Sequence, residues 1–429
     1  MLDMQKRLTN LFYATMSLPS TAMGFALCIQ ISALSWILST RFGLEIHEIG
    51  IVWAAGPTAG ILGQVLIGLI SDKAWFWGGR RRPFILIGGT LAALMVFLLP
   101  RIDQVNQLLG VGNILVVAVV IVVVLDLSIN ISFNPTRSII ADLTPEGEAR
   151  TKGFTWMQTI SGFWGVMAYI VGATYGNDTL IAIGAFIVFA FSVIPMFFIT
   201  EQRELAKPTA GLAAGVATSK AEWGQLWRVY IAHGFSWLGV QSMFVYTYGF
   251  IQTHIVPTGL PQAATDAQSG QIIAYSFAVL NTVGFLLPAL VLAPLTRRIG
   301  RVHTQALCLA IMAGGYFMIA SFARTPMMLY ALMAVVGIGW SAIVSLPFAI
   351  MSDKVDKSRM GYFMGLFNLS VVLPQLMSTG VGYVLKDAGN NSLLYVISGT
   401  SLAISCALWL LVKDEQGAVA PAPGLAAQH

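Results

Sequence analysis

The chain has 429 residues, of which 56% are hydrophobic and only 10% charged, against about 25% charged in an ordinary soluble domain. With a mean hydropathy of +0.76, this excludes a soluble globular protein and indicates a polytopic membrane protein. The net charge of +5 comes without a clustered basic and aromatic surface, so nucleic-acid binding is excluded too.

Crossing a hydrocarbon core takes about 20 apolar residues, and twelve stretches qualify. The first half holds 18–40, 48–70, 83–100, 113–141, 153–175 and 179–199; the second holds 228–254, 270–295, 303–323, 326–351, 360–385 and 391–412. Met1 to Leu18 carries Lys6 and Arg7 but no small-residue cleavage site after a short apolar core, so the first span is expected to be retained. With both termini on the cytoplasmic side, only Arg41, Arg101, Arg324 and Lys386 of the 24 Lys and Arg residues fall on the opposite side. That asymmetry follows the positive-inside rule and supports an even number of spans. Cys28, Cys308 and Cys406 fall in apolar spans without metal-ligand spacing and read as packing residues.

The fourth span carries the strongest signal. Asp126 follows twelve uninterrupted apolar residues, Ile114 to Leu125, and no other Asp or Glu falls in mid-span. A charge at that depth costs about 2.5–3.5 kcal/mol on insertion scales and is expected to face the protein interior or a watery cavity. Asn130, Asn134 and Arg137 follow at offsets that keep them within an arc of roughly 80° of Asp126, giving this helix one polar face. Arg137 lies about 16 Å further along the axis, too far for a direct pair. Asp126 is the candidate proton carrier; the competing role is a hydrogen-bonded bridge between helices. For Arg137 the competing roles are contact with lipid phosphate or ordering of the adjoining loop.

The chain divides at a polar stretch of small residues. The expected parts are 1–200 as a first six-helix bundle, 201–226 as a cytoplasmic linker, 227–415 as a second bundle and 416–429 as a short cytoplasmic tail. The halves echo each other. Pro135 precedes Asp142 and leads by way of Arg150 to Gly153-Phe154; Pro347 precedes Asp353 and leads by way of Arg359 to Gly361-Tyr362. Basic turns recur after the second and eighth spans. Two related halves around a midplane cavity are the layout of many secondary transporters.

Residues 53–85, WAAGPTAGILGQVLIGLISDKAWFWGGRRRPFI, resemble the second span and following loop of sucrose/proton symporters. Residues 125–143, LDLSINISFNPTRSIIADL, resemble that family's fourth span, and NLSVVLPQ from Asn368 resembles its eleventh. The resemblance implies an all-α major facilitator fold of twelve transmembrane helices in two pseudo-symmetric bundles, in the sucrose-transporter branch near the glycoside, pentoside and hexuronide carriers. It also implies that Asp126 binds the proton, that Arg137 is functionally important, and that Asp72 with Arg80, Arg81 and Arg82 latches the cytoplasmic gate. Asp142, seven residues after Pro135, is a further candidate for the gating charge network. The chain departs from plant members at the end of the seventh span, where YTYGFIQTH from Tyr246 has neither acid nor arginine, and at His47, one residue nearer Trp53. Compact loops suggest a bacterial inner-membrane protein.

Sugar sites combine apolar ring faces with a few fixed polar groups. The in-span amides Gln30, Gln64, Asn130, Gln241, Asn281, Asn368 and Gln375 suit paired hydroxyls, and each can instead join helix to helix. Trp53 is a candidate for stacking on a sugar ring, as are Trp36, Trp156, Trp237 and Trp340, whereas Trp75, Trp77, Trp223 and Trp227 read as interfacial anchors. His233 ranks below Asp126 as a proton relay.

The leading expectation is a proton-coupled symporter for a disaccharide or glucoside, working as a monomer in lipid, with the proton as coupling ion and no cofactor. A sodium-coupled or uncoupled sugar carrier is the alternative. An intramembrane enzyme is remote, since the chain has no His-Glu-x-x-His, no Gly-x-Ser-x-Gly and no paired in-span acids. A non-transporting sensor is equally remote, as no signalling domain accompanies the spans.

Overall fold

The computed structural model describes residues 3–73, 75–145, 148–201, 222–352, 354–355 and 360–414. Among these the chain is helical apart from turns, caps and one isolated bridge between Phe76 and Gly79. Twelve long helical passages follow one another. They are α1 (Asn10–Thr40), α2 (Ile46–Lys73), α3 (Arg82–Leu109), α4 (Ile114–Leu143), α5 (Glu148–Tyr175) and α6 (Asn177–Phe197). The second set comprises α7 (Trp223–Phe250), α8 (Gln262–Leu287), α9 (Arg301–Phe322), α10 (Pro326–Ser352), α11 (Met360–Met377, resuming at Thr379–Ala388) and α12 (Leu393–Trp409).

Local chemistry sets several ends. Asn113 Oδ1 accepts from Val116 N–H to cap α4, Thr9 does the same for α1, and Pro83 occupies the first turn of α3, where its missing N–H costs nothing. By length and apolarity alone, α1, α3, α4, α6, α8, α9 and α10 can cross a membrane. α7 misses that threshold because it carries buried polar residues such as His233, Ser236, Gln241 and Ser242. It also begins at Trp223, a full turn before the apolar stretch begins.

Helix packing repeats with a shift of six. In the first half α1 packs on α5 and α6, α4 on α2 and α3, and α3 on α6; in the second, α7 packs on α11 and α12, α10 on α8 and α9, and α9 on α12. Across the halves α2 meets α11 and α5 meets α8, which are themselves counterparts. Two structurally related bundles therefore face each other about a pseudo-two-fold axis.

Candidate functional site

Asp126 is 7% exposed, enclosed between α4, α1 and α2. Gln30 Nε2 donates to its Oδ2 at 3.0 Å. Gln30 is itself 3% exposed and opens a π-helical turn, Gln30–Leu34, inside α1. Such a turn widens the helix locally and is frequent at functional positions. On the other side, a Cβ placed on Gly56 of α2 would come within 2.6 Å of Asp126 Oδ2, so only glycine lets that helix approach the carboxyl. Asn130 Nδ2 donates to the Asp126 backbone carbonyl at 2.8 Å, binding back along its own helix. Arg137 is exposed and lays its guanidinium over the Phe133 ring, 4.2 Å from the centroid. Among the described residues, Asp126 and Arg137 share a helix without sharing a partner.

Two amides of the second half pair with each other, and a third holds an indole. Gln375 Nε2 donates to Gln241 Oε1 at 3.1 Å, joining α11 to α7. Trp340 Nε1 donates to Asn281 Oδ1 at 3.3 Å, while Asn281 Nδ2 donates to the Phe277 carbonyl at 2.9 Å. Asn368 is half-buried on α11. The side chains of Gln64, Asp72 and Asn134 lie outside the described residues.

Where the halves meet on the face opposite the arginine loop, hydrogen bonds join them. Trp53 Nε1 donates to Ser35 Oγ at 2.9 Å, and Ser35 Oγ donates to the Val245 carbonyl of α7 at 2.9 Å. Trp53, read from the sequence as a sugar platform, therefore commits its indole N–H to this seam. Trp36 Nε1 donates across the halves to the Asp266 carbonyl at 2.9 Å, while Tyr246 donates to the Ser378 carbonyl within the second half at 3.2 Å. At the same seam Lys386 Nζ and Glu45 Oε2 pair at 2.7 Å across the halves, and both line a cavity of about 370 Å³ that Ser35, Val245 and Tyr246 also border. The ammonium holds the Glu45 carboxyl below the usual carboxylate range, and the carboxylate holds Lys386 above the usual lysine range. The Glu45 contribution is therefore present at neutral pH and lost as pH falls through its lowered pKa. The Lys386 contribution is lost only as pH rises through its raised one. Both groups are exposed, so Lys386→Gln is expected to open this seam a few-fold more often at most, and less at high salt. The check is the labelling rate of Ser39→Cys by a membrane-impermeant thiol reagent. An unchanged rate at low salt would remove the pair from the closure.

At the arginine loop, Asp142 Oδ2 accepts from Arg80 Nη2 at 2.7 Å and from Arg81 Nε at 3.3 Å. These pairs lie within the first half and fasten the loop to the end of α4. The loop is held from its other side by Glu201, whose carboxylate accepts from the backbone N–H groups of Arg80, Arg81 and Arg82 at 2.7–3.1 Å. A carboxylate on the open amides of a helix start is favoured by the helix dipole. Glu201 was not among the sequence candidates; it closes α6 onto the start of α3, a contact no local pattern reveals. Glu201→Ala is expected to destabilise the first half by about 2 kcal/mol. The unfolding midpoint in detergent should fall, with Glu201→Gln intermediate.

The model of the Major Facilitator Superfamily matches residues 16–379 and again 258–426. The chain belongs to this superfamily. As a member of this family of carriers, it is an integral membrane transporter rather than an enzyme, and its twelve helices in two related bundles are the major facilitator fold. It is similar to sucrose transport protein SUC4 of Arabidopsis thaliana, 22% identical over 88% of this chain and 85% of that protein. It also resembles the general alpha-glucoside permease of Schizosaccharomyces pombe, 27% identical over 36% of this chain and 31% of the permease. Among solved structures, a D-xylose-proton symporter superposes with a TM-score of 0.69 at 14% identity, covering 95% of this chain and 99% of that one. This last likeness concerns the fold alone.

Proposed function

We propose that this member of the superfamily carries a disaccharide or glucoside in symport with a proton, through Asp126, by alternating access of its two halves. One observation carries the reading: the mid-span carboxyl of Asp126 is enclosed and bonded to a neutral amide, Gln30. Among the described residues it has no ion-pair partner to lose on gaining a proton, and its protonation alters the donor and acceptor pattern facing Gln30. The relatives named for sucrose and alpha-glucoside transport support the substrate class.

In this reading the arginine loops and both termini are cytoplasmic, and the Trp53–Ser35–Val245 seam is the external gate. Protonation from outside neutralises Asp126, and sugar bridges the two halves. The loaded carrier then changes state because proton and sugar each favour the same transition. Loss of the proton on the cytoplasmic side returns the empty carrier. Glu45 and Lys386 hold the external seam while the inner side is open, and the Arg80–Asp142 pair keeps the moving loop attached to its own half.

The test is uptake of labelled sucrose and maltose into proteoliposomes under an imposed gradient. A pH gradient, acid outside, should accumulate one of these sugars above its external concentration. Accumulation driven by a sodium gradient and indifferent to pH would overturn the proton reading, and no uptake of either sugar would overturn the substrate class.

A further inference from the structure

His233 has no part in the proton path through Asp126, yet it is among the most enclosed polar side chains of the second half, 2% exposed in α7. Its ring stacks on Phe367 of α11, with centroids 4.7 Å and planes 12° apart. One turn along α7, Trp237 Nε1 donates to His233 Nε2 at 3.0 Å. That bond uses the Nε2 lone pair, so the neutral ring carries its proton on Nδ1. Nδ1 has no hydrogen-bond partner among the described residues. Leaving a buried polar atom unsatisfied is a cost that leucine or phenylalanine would avoid. What the imidazole supplies in return is a fixed acceptor for the indole of Trp237.

That indole stands edge to face with Trp340 of α10, centroids 5.9 Å and planes 84° apart. Trp340 is held by Asn281 and seated on Gly284, where an added Cβ would come within 2.6 Å of the indole. Both indoles keep part of their surface uncovered. α7 and α10 are the counterparts of α1 and α4, the helices that carry Gln30 and Asp126. The depths agree as well: Asp126 lies nine residues before Pro135, and Trp340 seven before Pro347.

We propose that Trp237 and Trp340 form the platform in the second half on which the apolar C–H face of a hexopyranose ring rests, and that His233 is the positioning residue that holds Trp237 in it. Aromatic faces beside a few fixed amides fit a pyranose, whose ring is apolar above and below and hydroxylated around its edge. The inference rests on the sugar-carrier reading and adds a residue-level account of how the second half recognises the sugar.

The test compares His233→Leu, which removes the acceptor, with His233→Gln, which offers an amide oxygen to the same indole N–H. Exchange of labelled sucrose and of labelled maltose is measured in proteoliposomes holding equal sugar on both sides. His233→Leu is expected to raise the half-saturation concentration about tenfold, the equivalent of one lost hydrogen bond, with maximal exchange retained. His233→Gln should recover most of the affinity. Sugar-dependent change in tryptophan fluorescence should follow the same order, present in wild type and Gln and lost in Leu. Wild-type half-saturation in both variants would overturn the proposal, and so would an equal rise in both or a loss of maximal exchange without change in affinity. Wild-type protein that exchanges neither sugar would instead overturn the sugar-carrier reading on which this rests.

Discussion

Asp126→Asn is expected to abolish sugar accumulation against a gradient while leaving sugar exchange in place. Asparagine matches the shape of the protonated acid, and its amide oxygen can still accept from Gln30 Nε2, the bond seen at 3.0 Å. What it cannot do is release a proton. A gradient of about two pH units stores about 2.7 kcal/mol per proton, enough for roughly hundredfold accumulation at one proton per sugar. The variant should reach a ratio of about one under the same gradient. Exchange with sugar on both sides needs no net proton movement and should continue. Accumulation by the variant at the wild-type level would remove Asp126 from coupling and leave it a bridge between helices.

Gly56→Ala should be nearly as damaging, although it adds one methyl group. The new Cβ would come within 2.6 Å of Asp126 Oδ2 and 3.0 Å of its Cγ. Asp126 is short, enclosed and bonded to Gln30, so either that bond or the α2–α4 packing has to give. Overpacking of this kind costs about 1–3 kcal/mol, which lowers the occupancy of the affected conformation roughly 5- to 160-fold. Transport should fall by a comparable factor. Gly24→Ala is the matched control, because a Cβ there meets nothing within 4 Å. Equal loss in both variants would attribute the effect to helix flexibility rather than to the carboxyl.

Much of this arrangement is legible in the chain itself, and its limits have physical causes. Asp126 stands out because twelve apolar residues precede it, and the bilayer penalises a charge there whatever surrounds it. The two-half layout is visible because Pro135 and Pro347 stand at matching places. The partners of polar groups are not legible, because they are set by which helices meet. Gln241 and Gln375 read equally as sugar ligands or as links between helices, and the structure pairs them with each other. Trp53 reads as a stacking residue, and its N–H serves the seam between halves. Glu201 sits 119 residues from Arg82, the farthest amide along α3 that it caps, so nothing in its neighbourhood announces the contact. On the polar face inferred for α4, the described side chains take separate partners. Asn130 turns back to its own backbone, and Arg137 lies over Phe133. Helical spacing reports direction around an axis, whereas a side chain of three or four rotatable bonds chooses its partner from everything within reach.

The most direct test of the central claim is the pH outside lightly buffered proteoliposomes when sucrose or maltose is added without any imposed gradient. Sugar entering with protons should make the external medium more alkaline, in wild type and not in Asp126→Asn. Labelled sugar entering wild-type vesicles with no change in external pH would contradict proton symport through this carboxyl.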